Sequence, residues 1–126
     1  MKQIDKNFWK NSKVLVTGHS GFKGFWLCNY LKLLKSKVYG ISLEKNKQFN
    51  YKKIVEKEFF FNLKNQNKLE KVIEEVKPKI IFHFAAQPLV SESYKDPTTT
   101  YISNLIGTSN ILNVCKNKKN IKSILI

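Results

Sequence analysis

The chain has 126 residues and a mass of 14.7 kDa, which allows one domain of ordinary size or a piece of a larger one. A hydrophobic fraction of 42% supplies a packed core and excludes wholesale disorder. All 23 basic residues are lysines against 9 acidic ones, a formal net charge of +14. That charge invites a polyanion-binding module. The absence of arginine, whose planar fork suits phosphates and base edges, weighs against it. Beside the lysines stand 13 Asn and 12 Ile. These three residues share adenine- and thymine-rich codons, so the excess reads as drift of surface positions.

Along the chain, Lys13-Val-Leu-Val-Thr17 is a β-branched run ending at a glycine, the pattern of a buried strand. Residues 22–34 repeat apolar side chains at helical spacing, with Phe22, Trp26, Tyr30 and Leu34 in one stripe and Leu27 and Leu31 beside it. An amphipathic helix is expected, with that stripe inward. Residues 37–43 predict a second strand, 44–57 a lysine-rich loop with room for one helical turn, and 58–61 a third strand. Leu69, Val72, Ile73 and Val76 share one face of a helix over 66–76, stopped by Pro78. Residues 79–84 are apolar on both faces, as a central parallel strand should be. Pro97 and Thr98, Thr99 and Thr100 open a long helix to about Lys118, and 121–126 is a fifth strand.

This alternation predicts the α/β class: a Rossmann-type, doubly wound parallel sheet of about five strands in the order 3-2-1-4-5, incomplete because the chain stops on Ile-Leu-Ile. An N-terminal part of a longer protein is therefore expected. The first seven residues contain no apolar stretch, and the longest apolar run, near 80–86, is broken by His83 and too short to span a bilayer. A cytoplasmic protein without a membrane or nucleic-acid partner is expected. Cys28 and Cys115, each in an apolar helical stretch, read as buried free thiols, and no metal site is expected.

The chemistry-bearing segment is Thr17-Gly-His-Ser-Gly-Phe-Lys-Gly24, directly after a strand and opening a helix. Glycines at 18, 21 and 24 allow a tight turn, close backbone approach to a pyrophosphate and close packing of helix on strand. The helix N-terminus adds free N–H groups and a positive dipole end. Glu44 follows Gly24 by 20 positions and could bind an adenosine ribose, which favours NAD. Ser42 could take that place instead, and Lys45 and Lys47 could hold a 2′-phosphate.

Three blocks together resemble the extended short-chain dehydrogenase/reductases that modify nucleotide sugars and, within that family, the branch of 4,6-dehydratases acting on CDP-glucose. They are the glycine turn with Trp26-Leu27 behind it, His83-Phe-Ala-Ala-Gln-Pro-Leu-Val90 with Ser93-Tyr94, and Tyr101-Ile-Ser-Asn-Leu-Ile-Gly-Thr108. The resemblance implies that Gly18, Ser20, Gly21, Phe22, Lys23 and Gly24 line the NAD pyrophosphate and that Asn62 and Leu63 sit by the adenine. It places Phe84, Ala85 and Ala86 beside the cofactor, Gln87 facing the nucleotide sugar, and Asn104 near the active site. His83 more often serves such a strand as a satisfied packing histidine than as an acid or base. The activity implied is dehydration of CDP-glucose to CDP-4-keto-6-deoxyglucose by internal hydride transfer, for deoxysugar synthesis, in a protein that dimerises when full-length. Two positions depart from the family pattern: Asn62 stands where Asp is usual, and Ser91 where the CDP-glucose branch has Arg. The resemblance puts the catalytic residues beyond Ile126, so residues 1–126 form the N-terminal part of an NAD(P)-binding domain, with the rest of it and the substrate domain absent and no catalytic residue present. A nucleotide-sugar epimerase, a GDP- or dTDP-sugar dehydratase, and a non-catalytic dinucleotide-binding module are the alternatives.

Overall fold

The computed structural model describes residues 4–46, 48 and 51–126. Its centre is a parallel sheet of β1 (Lys13–Thr17), β2 (Lys37–Ser42), β3 (Lys57–Phe60), β4 (Ile80–His83) and β5 (Ser123–Leu125), in the order β3-β2-β1-β4-β5. β1 is central because it can bury both faces: Val14, Leu15 and Val16 are each 0% exposed. Its register sets Val14 against Val38 on one side and Ile80 on the other.

Helices cover both faces. On one lie α1 (Lys6–Trp9) and α2 (Phe22–Leu33), where Val14, Val16, Val38 and Ile80 meet Cys28, Leu31 and Tyr51. On the other lie α3 (Gln66–Val76) and α6 (Gly107–Cys115), where Leu15, Ile41 and Ile81 meet Leu69, Ile73, Ile111 and Val114. Alternate strand residues serve alternate faces, and each full burial of such a side chain contributes about 1.5–3 kcal/mol.

Four expectations are corrected. Three of the four stripe residues of α2 face outward, with Phe22 73% and Trp26 59% exposed and Tyr30 exposed; the fourth, Leu34, is buried as expected, together with Gly24, Cys28 and Leu31. Small residues go inward because the helix lies close against the turn and the sheet. The long helix is not uniform: α5 (Pro97–Tyr101), capped by Asp96, passes through a π turn at Ile102–Ile106 into α6 and ends at Cys115, short of Lys118. Two short helices were not foreseen, α1, capped by Asp5, and α4 (Val90–Lys95). Strand boundaries shift by one or two residues. α3 keeps its predicted span. Asn65 caps its start, and its end is Lys77 in the left-handed region before Pro78.

Candidate functional site

The C-terminal ends of β1, β2, β3 and β4 release the segments that carry every predicted site residue, the edge where parallel α/β sheets hold ligands. At the first of these the chain turns through Gly18, with φ +71°. A Cβ there would lie 2.6 Å from the carbonyl carbon of Phe84 and 2.7 Å from the amide nitrogen of Ala85. Glycine thus lets the segment leaving β4 run alongside the turn. A Cβ on Gly24 would strike the Gly18 carbonyl oxygen and come 2.6 Å from the His19 Cα, so α2 needs glycine to sit against the turn. Gly21 differs, because among the described residues a Cβ there would meet only the Gly18 oxygen, at 3.4 Å. Its outer side is open. Gly21 is also the N-cap of α2 and supplies no side-chain cap, whereas Asp5, Asn65 and Asp96 cap α1, α3 and α5. The first turn of α2 therefore offers amide donors and a positive dipole end to an anion, with Lys23 exposed beside them.

The turn is braced from below by a network that the sequence did not disclose. His19 is fully buried, with Nε2 2.9 Å from Glu58 Oε1 and Nδ1 2.9 Å from Ser42 Oγ. Ser42 Oγ also accepts from the Ser20 amide at 3.1 Å. The Ser20 carbonyl accepts from Asn46 Nδ2 and from the Tyr51 hydroxyl, at 3.1 and 3.2 Å. Burial pushes that hydroxyl up to about 12, so it stays a donor. Ser42 is thus the β2 residue whose side chain hydrogen-bonds the turn, whereas Glu44 and Lys45 are exposed in the loop beyond it. Lys47 lies outside the described residues. The available clue was Gly40, a glycine inside a strand, where a close approach is the usual reason. The His19 ring fills the space that a Cβ would take.

At the end of β4, His83 is buried between two threonines. Its Nδ1 is 2.6 Å from Thr17 Oγ1 and its Nε2 2.9 Å from Thr108 Oγ1. Thr17 Oγ1 accepts from the Ala85 amide, and Thr108 Oγ1 donates to the Asn104 carbonyl. These directions place the proton on Nε2 of a neutral ring, and burial holds its pKa below the usual histidine value. His83 is a structural link between β1, β4 and α6. Beyond it Phe84 and Ala86 are exposed and Ala85 half-buried.

Gln87 and Asn104 meet each other. Asn104 Oδ1 accepts from the Gln87 amide at 2.7 Å and its Nδ2 donates to the Gln87 carbonyl at 3.1 Å. The Gln87 side chain folds back, with Nε2 donating to Leu89 O and Thr100 Oγ1 and Oε1 accepting from the Leu89 amide. Both residues shape the segment after β4 with the polar atoms expected to face ligand. After β3, Asn62 Oδ1 accepts from the Lys64 amide at 2.9 Å. The Leu63 side chain is in the core against Gly107. Asn110, not foreseen, is 8% exposed and donates from Nδ2 to the carbonyls of Leu63 and Lys64.

Sheet order, the glycine turn after β1 and the open helix N-terminus define a Rossmann-type nucleotide-binding class of protein. The family model described as GDP-mannose 4,6 dehydratase matches residues 15–126. The chain belongs to this family of nucleotide-sugar dehydratases and epimerases. It is 40% identical to the CDP-glucose 4,6-dehydratase of Salmonella typhimurium over 97% of its own length and 35% of the relative's. It is 33% identical to a UDP-glucose 4-epimerase of Mycoplasma genitalium, over 84% of this chain and 32% of that protein. Among solved structures, the Thermus thermophilus UDP-glucose 4-epimerase in complex with NAD superposes with a TM-score of 0.80 at 26% identity, over 89% of this chain and 36% of that one. The chain thus spans about a third of the length of these relatives.

Proposed function

We propose that the chain is the cofactor-binding N-terminal part of a nucleotide-sugar 4,6-dehydratase that takes NAD and acts on CDP-glucose. The observation that carries the dinucleotide half of this reading is the cradle at Gly21: an open glycine at an uncapped helix N-terminus, between two glycines whose own space is filled by backbone. That donor set fits a pyrophosphate. Gly18, Ser20, Gly21, Phe22, Lys23 and Gly24 would hold it, Ser42 and Glu44 lie at the ribose end, Asn62 and the Leu63 backbone at the adenine end, and Phe84, Ala85, Ala86 and Asn104 at the other. NAD would supply a two-electron hydride acceptor. The chain's own part is to bind and orient. The family resemblance puts the proton-transferring Tyr-x-x-x-Lys pair beyond Ile126, and none of the five tyrosines in residues 1–126 has a lysine four residues on.

CDP-glucose is supported by the Salmonella relative. The test is to incubate the intact gene product with NAD and CDP-, UDP-, GDP- or dTDP-glucose and follow formation of a 4-keto sugar. Turnover confined to CDP-glucose is expected. Conversion of UDP-glucose to its C4 epimer, without a keto product, would replace this reading with the epimerase one.

A further inference from the structure

Beneath the glycine turn, three donors and three acceptors form a chain with one consistent direction. The Ser20 amide donates to Ser42 Oγ at 3.1 Å, Ser42 Oγ lies 2.9 Å from His19 Nδ1, and His19 Nε2 lies 2.9 Å from Glu58 Oε1. A carboxylate only accepts, so His19 Nε2 carries a proton and donates to Glu58. A proton on Nδ1, added or in place of that one, would take one lone pair of Ser42 Oγ while the Ser20 amide takes the other. The Ser42 hydroxyl hydrogen would then have no acceptor among the described residues, on a residue only 5% exposed. A ring protonated on Nε2 alone leaves nothing unpaired. Ser42 then donates to Nδ1, and no buried side-chain nitrogen or oxygen among the described residues lacks a partner. The direction of the chain is therefore set at its far end, by Glu58 on β3. The ring has no room to turn, since Tyr51 packs on it edge-on at 5.3 Å and a Cβ on Gly40 would fall on its Cγ.

The chain holds the residue that precedes the N-cap of α2. The Ser20 carbonyl has two donors, Asn46 Nδ2 and the Tyr51 hydroxyl, whereas its amide has the single acceptor Ser42. Gly21, the next residue, begins the helix without a side-chain cap. We propose that Glu58 is a positioning residue for the dinucleotide site, acting through His19 and Ser42 on the Ser20 amide. This rests on the dinucleotide reading above. The Glu58 carboxylate stands two side chains away from that amide and governs it through the tautomer of the ring between. Without an acceptor at residue 58 the ring proton moves to Nδ1 and donates to Ser42. The Ser42 hydroxyl, its own hydrogen unpaired, turns toward another acceptor and loosens its hold on Ser20. Glutamine supplies the same acceptor through Oε1 without the charge, and leucine supplies none.

The experiment uses the intact protein, isotopically labelled in its histidine ring nitrogens, with its Glu58→Gln and Glu58→Leu variants. Nitrogen–proton correlation spectra report which ring nitrogen bears the proton, calorimetry the NAD dissociation constant and thermal melting the fold. The unsubstituted protein and Glu58→Gln should both show His19 protonated on Nε2 alone and bind NAD within about twofold of each other. Glu58→Leu should move the proton to Nδ1 and weaken NAD binding about tenfold, the size of one hydrogen bond lost at the turn. Beside Ser42→Ala, where the link is already broken, Glu58→Leu should cost less than about twofold, which separates action through Ser42 from a general loss of stability. A proton on Nδ1 in the unsubstituted protein would overturn the role of Glu58, even where Glu58→Leu does not fold. So would unchanged affinity in Glu58→Leu, equal weakening by Gln and Leu, or a Leu effect that persists in full beside Ser42→Ala. All of these leave NAD binding standing. Absence of NAD binding in the unsubstituted protein would instead overturn the dinucleotide reading, while the spectra still report the tautomer.

Discussion

Gly40 offers the sharpest test of how the glycine turn is supported. It sits inside β2 at a position where alanine is intrinsically better by about 0.5–1 kcal/mol, since glycine loses more backbone freedom. Yet a Cβ there would fall on the His19 ring, 2.5 Å from Cδ2 and 2.6 Å from Nδ1. The ring has no free direction: Ser42 and Glu58 hold its two nitrogens and Tyr51 packs edge-on at 5.3 Å. Gly40→Ala must displace the ring, at about 1–3 kcal/mol for overpacking and about 1 kcal/mol for each hydrogen bond strained. A net loss of about 3 kcal/mol is expected, or roughly 10 °C in melting temperature for a chain of this size. Thermal and urea unfolding, followed by circular dichroism, should be run as a double-mutant cycle with His19→Ala. With the ring gone, Gly40→Ala should be neutral or slightly stabilising, so the coupling is about 2 kcal/mol or more. Costs that add to within about 0.5 kcal/mol would refute the argument.

Gly18→Ala combines a left-handed φ, costing about 1–2 kcal/mol for a residue with a Cβ, with backbone overlap at Phe84 and Ala85. The expected outcome is a loss above about 3 kcal/mol together with loss of NAD binding, and an unchanged melting temperature would contradict it. His83 gives a pH dependence of definite sign. Burial keeps its folded pKa below the unfolded value of 6.5, so the unfolded chain takes the proton first. Its contribution is complete above that value and declines as pH falls through and below it; urea midpoints measured between pH 7 and 5 should fall, and fall less in His83→Gln. Burial also raises the thiol of Cys28 to about 12 and that of Cys115 to about 11. At pH 8 both should resist iodoacetamide in the native protein and react fully in urea, as judged by mass spectrometry.

Much of the fold was legible because the parallel strands are short apolar runs, and Val14, Leu15 and Val16 leave little choice of element. The order of strands followed from their alternation with helices, which is the pattern of a doubly wound sheet. The orientation of α2 was not legible. Phe22, Trp26 and Tyr30 outscore Gly24 and Cys28 in hydrophobicity, but the space between helix, turn and sheet admits only the smaller pair. Here size decided and hydropathy misled. α4 has six residues and no periodic face, so nothing local announced it. The glycine turn was legible because its requirement is local. The bracing of that turn was not, since His19 reaches Ser42 across 23 residues and Glu58 across 39. Gln87 and Asn104 were named for separate roles, one facing a nucleotide sugar and one near the active site, and the structure bonds them to each other. Their mutual clamp spans a sequence separation of 17, which no spacing rule encodes.

The π turn at Ile102–Ile106 makes length itself a specified quantity in this part of the chain. Within it Asn104 Oδ1 must reach Gln87; behind it Gly107 must face Leu63, Asn110 the two carbonyls and Ile111 the core. An uninterrupted α-helix turns about 100° per residue, so removing one residue from the bulge would rotate everything downstream by that angle. Both clamps could not then close at once, although no side chain in either had changed. The same helix tolerates substitution on its outer face, at Leu112 for example, which is 46% exposed. The segment is therefore permissive in composition and strict in residue count, and a one-residue deletion there is a more damaging lesion than most replacements.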